Sequence, residues 1–225
     1  MKKLTQLAAA IALTAGAMSA APVMAEGSFS ANVGLASEYY YRGILQKQSD
    51  SGSGQVSASG GLDYENGGFG AGVWTADVGD GLEVDVYASY GIETESGISA
   101  SLGYTSYQYT GDFDTEYNEA NLNLGYGIAS FEYSVGEHEV EGGSDEDYTF
   151  VALTLEHNGF SATYGSFSDD WDGDYVQLGY GTEIGGFDTS IALIFGSDDL
   201  GPEGSQNVNG DDEAIVFSIG KSFDL

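Results

Sequence analysis

The 225 residues contain no cysteine, which removes disulfides and thiolate metal sites from consideration. Proline is nearly missing too, with Pro22 and Pro202 the only two. Cations are scarce: five Lys and Arg stand against 36 Asp and Glu. Phosphate recognition needs cationic side chains, so nucleic acid is excluded as a partner. Nor is there an apolar run approaching the roughly 20 residues that a membrane-spanning helix requires. Stability must therefore come from burial or from a closed network of hydrogen bonds.

What is present begins with an export signal. Lys2 and Lys3 form a basic start, Leu7 to Ala17 are apolar, and Val23-Met24-Ala25 offers small residues for cleavage. This is the pattern of a secretory leader over residues 1–25, with one domain of residues 26–225 following it. Loss of the leader leaves Arg42, Lys47 and Lys221 against 36 acidic residues, a formal balance of −33. Such a surface repels itself unless cations screen it; a salty habitat accounts for it as well as a function does. Thirty-five Gly and 16 Tyr suit many strands and tight turns, and the aromatic content argues against disorder.

Apolar residues recur with a period of two. Leu82, Val84, Val86, Ala88, Tyr90 and Ile92 alternate with Glu83, Asp85, Tyr87, Ser89, Gly91 and Glu93. Ile98, Ala100, Leu102 and Tyr104 do the same, as do Ile215, Phe217 and Ile219. Each such segment is a strand with one apolar and one polar face. The spacing predicts about twelve strands, near 28–43, 54–65, 68–78, 82–94, 97–109, 116–127, 128–137, 146–157, 159–168, 173–183, 185–197 and 212–225. About twelve residues at 3.3 Å each and a 45° tilt rise roughly 28 Å, close to the apolar band of a membrane barrel. Strands of soluble sandwiches are nearer five or six residues.

Short and long connections alternate. Asn66-Gly67-Gly68, Ser96-Gly97, Asn158-Gly159 and Gly185-Gly186 mark tight turns; acidic, Gly-rich links fall near 44–53, 109–116, 137–146, 168–174 and 198–211. That alternation is expected of outer-membrane barrels, with short periplasmic turns and longer external loops. An even strand number places both ends in the periplasm. Tyr39, Tyr41, Tyr104, Tyr126, Phe160 and Phe187 stand toward strand ends, as interfacial girdles do. The last strand, with Phe223 near its end and Leu225 where an aromatic is usual, resembles the signal read by the barrel-assembly machinery. The expected fold is an all-β, transmembrane, antiparallel up-and-down barrel facing outer-membrane lipid.

Leu35-Ala36-Ser37-Glu38-Tyr39-Tyr40-Tyr41-Arg42-Gly43-Ile44, followed by Gly68-Phe69-Gly70-Ala71-Gly72-Val73-Trp74, resembles the TorF (Gcw_chp) family, which carries a porin label. The likeness extends over the whole mature chain in length, leader and strand pattern. It implies a class of protein and no established solute.

Parity then selects residues of the lumen. With Phe29, Ala31, Val33 and Leu35 outward, Glu38, Tyr40 and Arg42 on the same strand face inward, with Arg42 at the external end. Glu83 and Asp85 enter near the same mouth, Glu119 similarly, and Glu132 deeper. This reads as a ring of carboxylates around one Arg, which attracts cations and orients solutes carrying both charges; the alternative is an ionic brace for a filled interior. Trp74 shares parity with small neighbours and either narrows a pore or packs on a facing strand. The acidic loop Asp169-Asp170-Trp171-Asp172-Gly173-Asp174 lacks the full calcium-loop pattern and reads as solvated. His138 and His157 fall at opposite ends, against a shared metal site, and no spacing points to catalysis. No cofactor, metal or catalytic residue is expected. The function expected is that of a porin-like outer-membrane channel for passive diffusion of small solutes or ions, with a preference for cations; a non-conducting structural or cation- or ligand-binding outer-membrane barrel is the alternative.

Overall fold

A computed structural model describes residues 27–49, 52–202 and 213–225. The expected leader, and most of the acidic link expected near 198–211, lie outside the described residues. Twelve long strands follow one another: β1 (Ser28–Ala36), β2 (Ser57–Asn66), β3 (Phe69–Gly79), β4 (Gly81–Glu93), β5 (Ile98–Tyr109), β6 (Tyr117–Tyr126), β7 (Ala129–His138), β8 (Glu146–His157), β9 (Phe160–Asp169), β10 (Asp174–Ile184), β11 (Phe187–Gly196) and β12 (Glu213–Asp224). Each pairs antiparallel with the next, and β12 returns to β1 from Ser30↔Asp224 to Ala36↔Ser218. The sheet is a closed up-and-down barrel, as the alternation predicts.

The tight turns follow from left-handed residues. Gly67 and Gly68, Asn158 and Gly159, and Gly185 and Gly186 all have positive φ, the pairing that matches the twist of two-residue hairpins. These turns share one rim with both described ends of the chain, and the longer connections share the other.

The first strand departs from expectation. It ends at Ala36, not at residue 43. The Ser37 N–H donates to the Phe217 carbonyl at 2.8 Å, and the Phe217 N–H donates to Ser37 Oγ at 2.9 Å. Beyond this point Tyr40–Tyr41 pairs with Ile44–Leu45 in a miniature hairpin whose centre is Arg42 (φ 47°) and Gly43 (φ 83°). That turn takes the segment off the wall and into the barrel. Glu38, Tyr40 and Arg42 are therefore carried by an inserted segment rather than by strand parity. Tyr39 and Tyr41 are not girdle residues; Tyr39 is buried inside.

The outer surface is apolar all round: Val33, Leu62, Leu102, Leu153 and Ile215 are all exposed there, Leu102 at 67%. Soluble proteins rarely show contiguous apolar patches beyond a few hundred Å². A belt that encircles a closed barrel is a lipid-facing surface. Toward the short-turn rim it carries exposed Phe29, Phe69, Tyr90, Tyr126, Phe160, Phe187 and Phe223, the aromatic girdle of an interface. Lys221 stands among them, 5.1 Å from the Phe187 ring and 5.6 Å from that of Phe223.

Inside, the half nearer the long loops is packed. Tyr40 and Leu45 of the inserted hairpin join Ala36, Ala192, Ile194 and Val216 in one buried cluster, and Tyr39 joins Ala76 and Val78 in another. Leu102→Lys tests the lipid-facing assignment. It is expected to cost about 2–4 kcal/mol of folding stability in phospholipid vesicles, read by urea titration; an unchanged midpoint would contradict a membrane-facing wall.

Candidate functional site

Arg42 is the pivot of the interior. Its guanidinium donates to Glu119 through two bonds, Nη1 to Oε2 at 2.5 Å and Nη2 to Oε1 at 2.8 Å. Nη2 also reaches Glu132 Oε1 at 2.5 Å and Ser134 Oγ at 3.2 Å. Arg42 is 4% exposed and Glu119 is not exposed at all. The planar fork matches a carboxylate edge, which gives direction as well as energy. Its face lies 4.0 Å from the centre of the Phe150 ring, a cation–π contact. Asn121 Nδ2 donates to Glu119, and Ser134 Oγ donates to Glu132 Oε1 at 3.0 Å, so the acceptors are well supplied.

The hairpin tip is held sterically as well. Gly43 has positive φ, and a Cβ there would stand 2.8 Å from both Leu200 Cδ2 and Tyr175 Cβ. Lys47, on the same inserted segment, donates to Asp77 Oδ2 at 2.6 Å and to the Val56 carbonyl at 2.9 Å. Both cations of the segment are thus tied to the wall.

The structure divides the expected carboxylate ring. Glu119 and Glu132 meet Arg42; Glu83 and Asp85 do not. These two share the inward face of β4, with 2% and 7% exposure, and their carboxyl groups contact each other. Glu83 Oε1 accepts from the Tyr39 hydroxyl at 3.1 Å, while neither Glu83 Oε2 nor Asp85 Oδ1 receives a hydrogen bond from any residue outside the pair. Trp74 packs edge-on against Tyr39 at 5.8 Å. Glu38 lies apart, its carboxyl group against Gly54 on the far side of the inserted loop.

A cavity of about 390 Å³ opens among the long loops, within the range of small-molecule sites. Its wall is largely aromatic: Tyr109, Phe113, Tyr117, Tyr148 and Trp171 contribute, with Glu83 and Asp114 as acids. Sequence reasoning missed this wall. Trp171 was expected in a solvated acidic loop but is 6% exposed, packed 5.1 Å from Tyr148 and 5.1 Å from Phe167. A Trp set in a run of carboxylates was the available signal, because so large an apolar ring seeks burial.

His138 closes one side. It stacks on Tyr117 with ring centres 4.0 Å apart and lies 3.1 Å from Asp114 and 3.3 Å from Glu146. His157 is at the opposite rim, beside Asn158. Asp114 belongs to the loop between β5 and β6. Burial pushes its carboxyl up, but hydrogen bonds from His138, Tyr117 and the Thr115 N–H outweigh this and hold it below its ordinary range. No group of three or more His, Asp or Glu suited to a metal ion occurs among the described residues.

Arg42→Ala should lower folding stability by about 3–5 kcal/mol, because it strands the buried Glu119 charge. Arg42→Met combined with Glu119→Gln should recover a large part of that loss; denaturant titration of each variant checks both. Asp114 supplies a pH prediction. Its depressed value means that its contribution is present above the unfolded value of about 3.9 and is lost as pH falls through the lower folded value. Protection factors for amide exchange in the 110–116 loop, taken relative to the intrinsic rate at each pH, should therefore fall below about pH 4, and Asp114→Asn should flatten that response.

Comparison with known proteins places the geometry. A structure from a study of in-meso crystallization of membrane proteins aligns at TM-score 0.53 and 11% identity, over 88% of this chain and 84% of that one. Pseudomonas aeruginosa OprD aligns at TM-score 0.42 and 10% identity, over 93% of this chain and 72% of that one. Pseudomonas aeruginosa OccK3 (OpdO) aligns at 0.36 and 12%, over 76% of this chain and 57% of its own length. At such identities the first of these supports a shared fold alone. No curated protein matches the sequence. A family profile described as bacterial protein of unknown function matches residues 19–222, so the chain belongs to the Gcw_chp family.

Proposed function

We propose that this protein is a narrow, cation-preferring diffusion channel of the bacterial outer membrane, non-enzymatic and porin-like in the sense of the TorF label. The observation that carries this reading is the charge distribution within the barrel. Among the described residues the cationic side chains are Arg42, Lys47 and Lys221. Arg42 and Lys47 are each bound to carboxylates, and Lys221 stands in the girdle. Glu83 and Asp85 are left as an acidic pair in the wall without a cationic side chain facing them. Carboxylates lining a passage favour cations and disfavour anions. The inserted hairpin narrows the passage, which suits small solutes.

The export leader and the outward pattern of the last strand support delivery to the outer membrane through the barrel-assembly machinery. Ile215 and Phe217 are exposed on β12, and so is Phe223 near its end, which presents an apolar edge to that machinery and to lipid.

One observation favours a second reading. The Arg42 clamp and the clusters around Tyr40 and Tyr39 fill much of the outer half of the interior, as in a non-conducting barrel that binds a cation or ligand at its mouth. Planar-bilayer recordings separate the two. The channel reading expects discrete conductance steps and a reversal potential on the cation side under a salt gradient. Removing residues 38–55 should raise the step size severalfold. No steps from the intact protein across a wide voltage range would overturn the channel reading and leave the binding barrel.

A further inference from the structure

The cavity among the long loops has a chemical polarity that selects its occupant. At one end stands Glu83, almost fully buried, with Oε2 unpartnered. At the other stands Trp171, also buried, with its Nε1–H unpartnered. Both residues line the cavity. An acceptor and a donor left without partners inside a protein each carry a desolvation cost, and here both belong to side chains in the wall of one cavity, just beneath its surface.

Aromatic rings connect those ends. Glu83 is directly opposite Tyr109 in the β4–β5 register. The Tyr109 ring is 6.2 Å from that of Tyr117, which is 6.0 Å from that of Trp171. The sequence of groups is carboxylate, three aromatic rings, indole donor. Glu83 and Asp85 are in contact and share one proton between them, which leaves one negative charge on the pair; Arg42 and Lys47 are engaged elsewhere, and no acid cluster suited to a metal ion occurs among the described residues. A cation that must lie against π faces rather than among oxygen ligands is an organic ammonium.

We propose that this cavity binds a small organic cation: an ammonium group at Glu83, an aromatic or apolar body along Tyr109 and Tyr117, and a hydrogen-bond acceptor at Trp171 Nε1. The assignment deepens the channel reading by naming a solute class, and it rests on that reading only for the solute's onward passage. Binding itself needs no conductance.

Isothermal titration of the full-length protein, folded in detergent, tests the site with tyramine and three comparators. Tyrosol keeps the ring and hydroxyl without the charge, 4-hydroxyphenylacetate reverses the charge, and ethylammonium keeps the charge without the ring. Tyramine is expected to bind at least about tenfold more tightly than each comparator. Glu83→Gln should weaken tyramine by about tenfold or more and leave tyrosol unchanged; Trp171→Phe, which keeps the ring but not the donor, should weaken tyramine by about threefold. Equal affinity for tyramine and tyrosol, equal affinity for tyramine and ethylammonium, or no binding of tyramine would each overturn the site. So would a folded Glu83→Gln protein that binds tyramine unchanged. Should that variant fail to fold, the ranking on the unaltered protein decides alone. Conductance lost with tyramine binding intact would overturn the channel; binding lost with conductance intact would overturn only this site.

Discussion

Closure of the sheet is the constraint on which everything else depends. Hydrocarbon supplies no partners for backbone N–H and C=O groups, so a strand can cross a membrane only when both of its edges are paired. The ladder between β1 and β12 meets that requirement over seven residue pairs, from Ser30↔Asp224 to Ala36↔Ser218. Once the ring is closed, the pleat assigns every side chain to lipid or lumen. The exposed belt that includes Leu62, Leu102 and Ile215 and the inward acids that include Glu83 and Glu119 are two consequences of the same geometry. Closure also forces the eleven connections into two groups, and only the long-loop rim has chain to spare for a site.

Within the closed wall, the scarcity of cations sets the organisation. One guanidinium serves Glu119, Glu132 and Ser134, and through them draws β6 and β7 toward the inserted hairpin. Two buried charges and a half-buried third in so small a volume are tolerable only because the fork is fully engaged and the carboxylates have further donors. The second cation of the segment is used on Asp77. Nothing of opposite charge remains for Glu83 and Asp85, so their location beneath an aromatic cavity has chemical meaning. The surplus of acid in the surface loops is a separate matter and adjusts readily to the surrounding salt.

The mouth combines rigidity with unfulfilled polarity. Tyr117 and His138 stack nearly parallel, and Tyr148, Phe167 and Trp171 pack on one another at 5–6 Å, which holds the wall in place before any solute arrives. Preformed walls with orphaned donors and acceptors are what distinguish a recognition site from a packed core, where polar atoms are paired.

The barrel itself was legible in the sequence. Alternation with a period of two is a local property, carried by runs such as Leu82 to Ile92, and the Asn-Gly and Gly-Gly pairs place the turns without reference to distant residues. Strand length and an even count then determined a membrane barrel with both ends at one rim. The inward direction of Glu83, Asp85 and Glu119 also followed from alternation alone. Only the tertiary structure decided that the first strand stops at Ala36, that Arg42 leaves the wall to clamp Glu119 and Glu132, and that Glu83 and Asp85 are left without it. It alone decided that Trp171 turns from an acidic loop into an aromatic wall. The physical reason is range. Parity is fixed by neighbours in the chain, whereas the fate of the hairpin depends on partners 77 and 90 residues away that become neighbours only when the barrel closes.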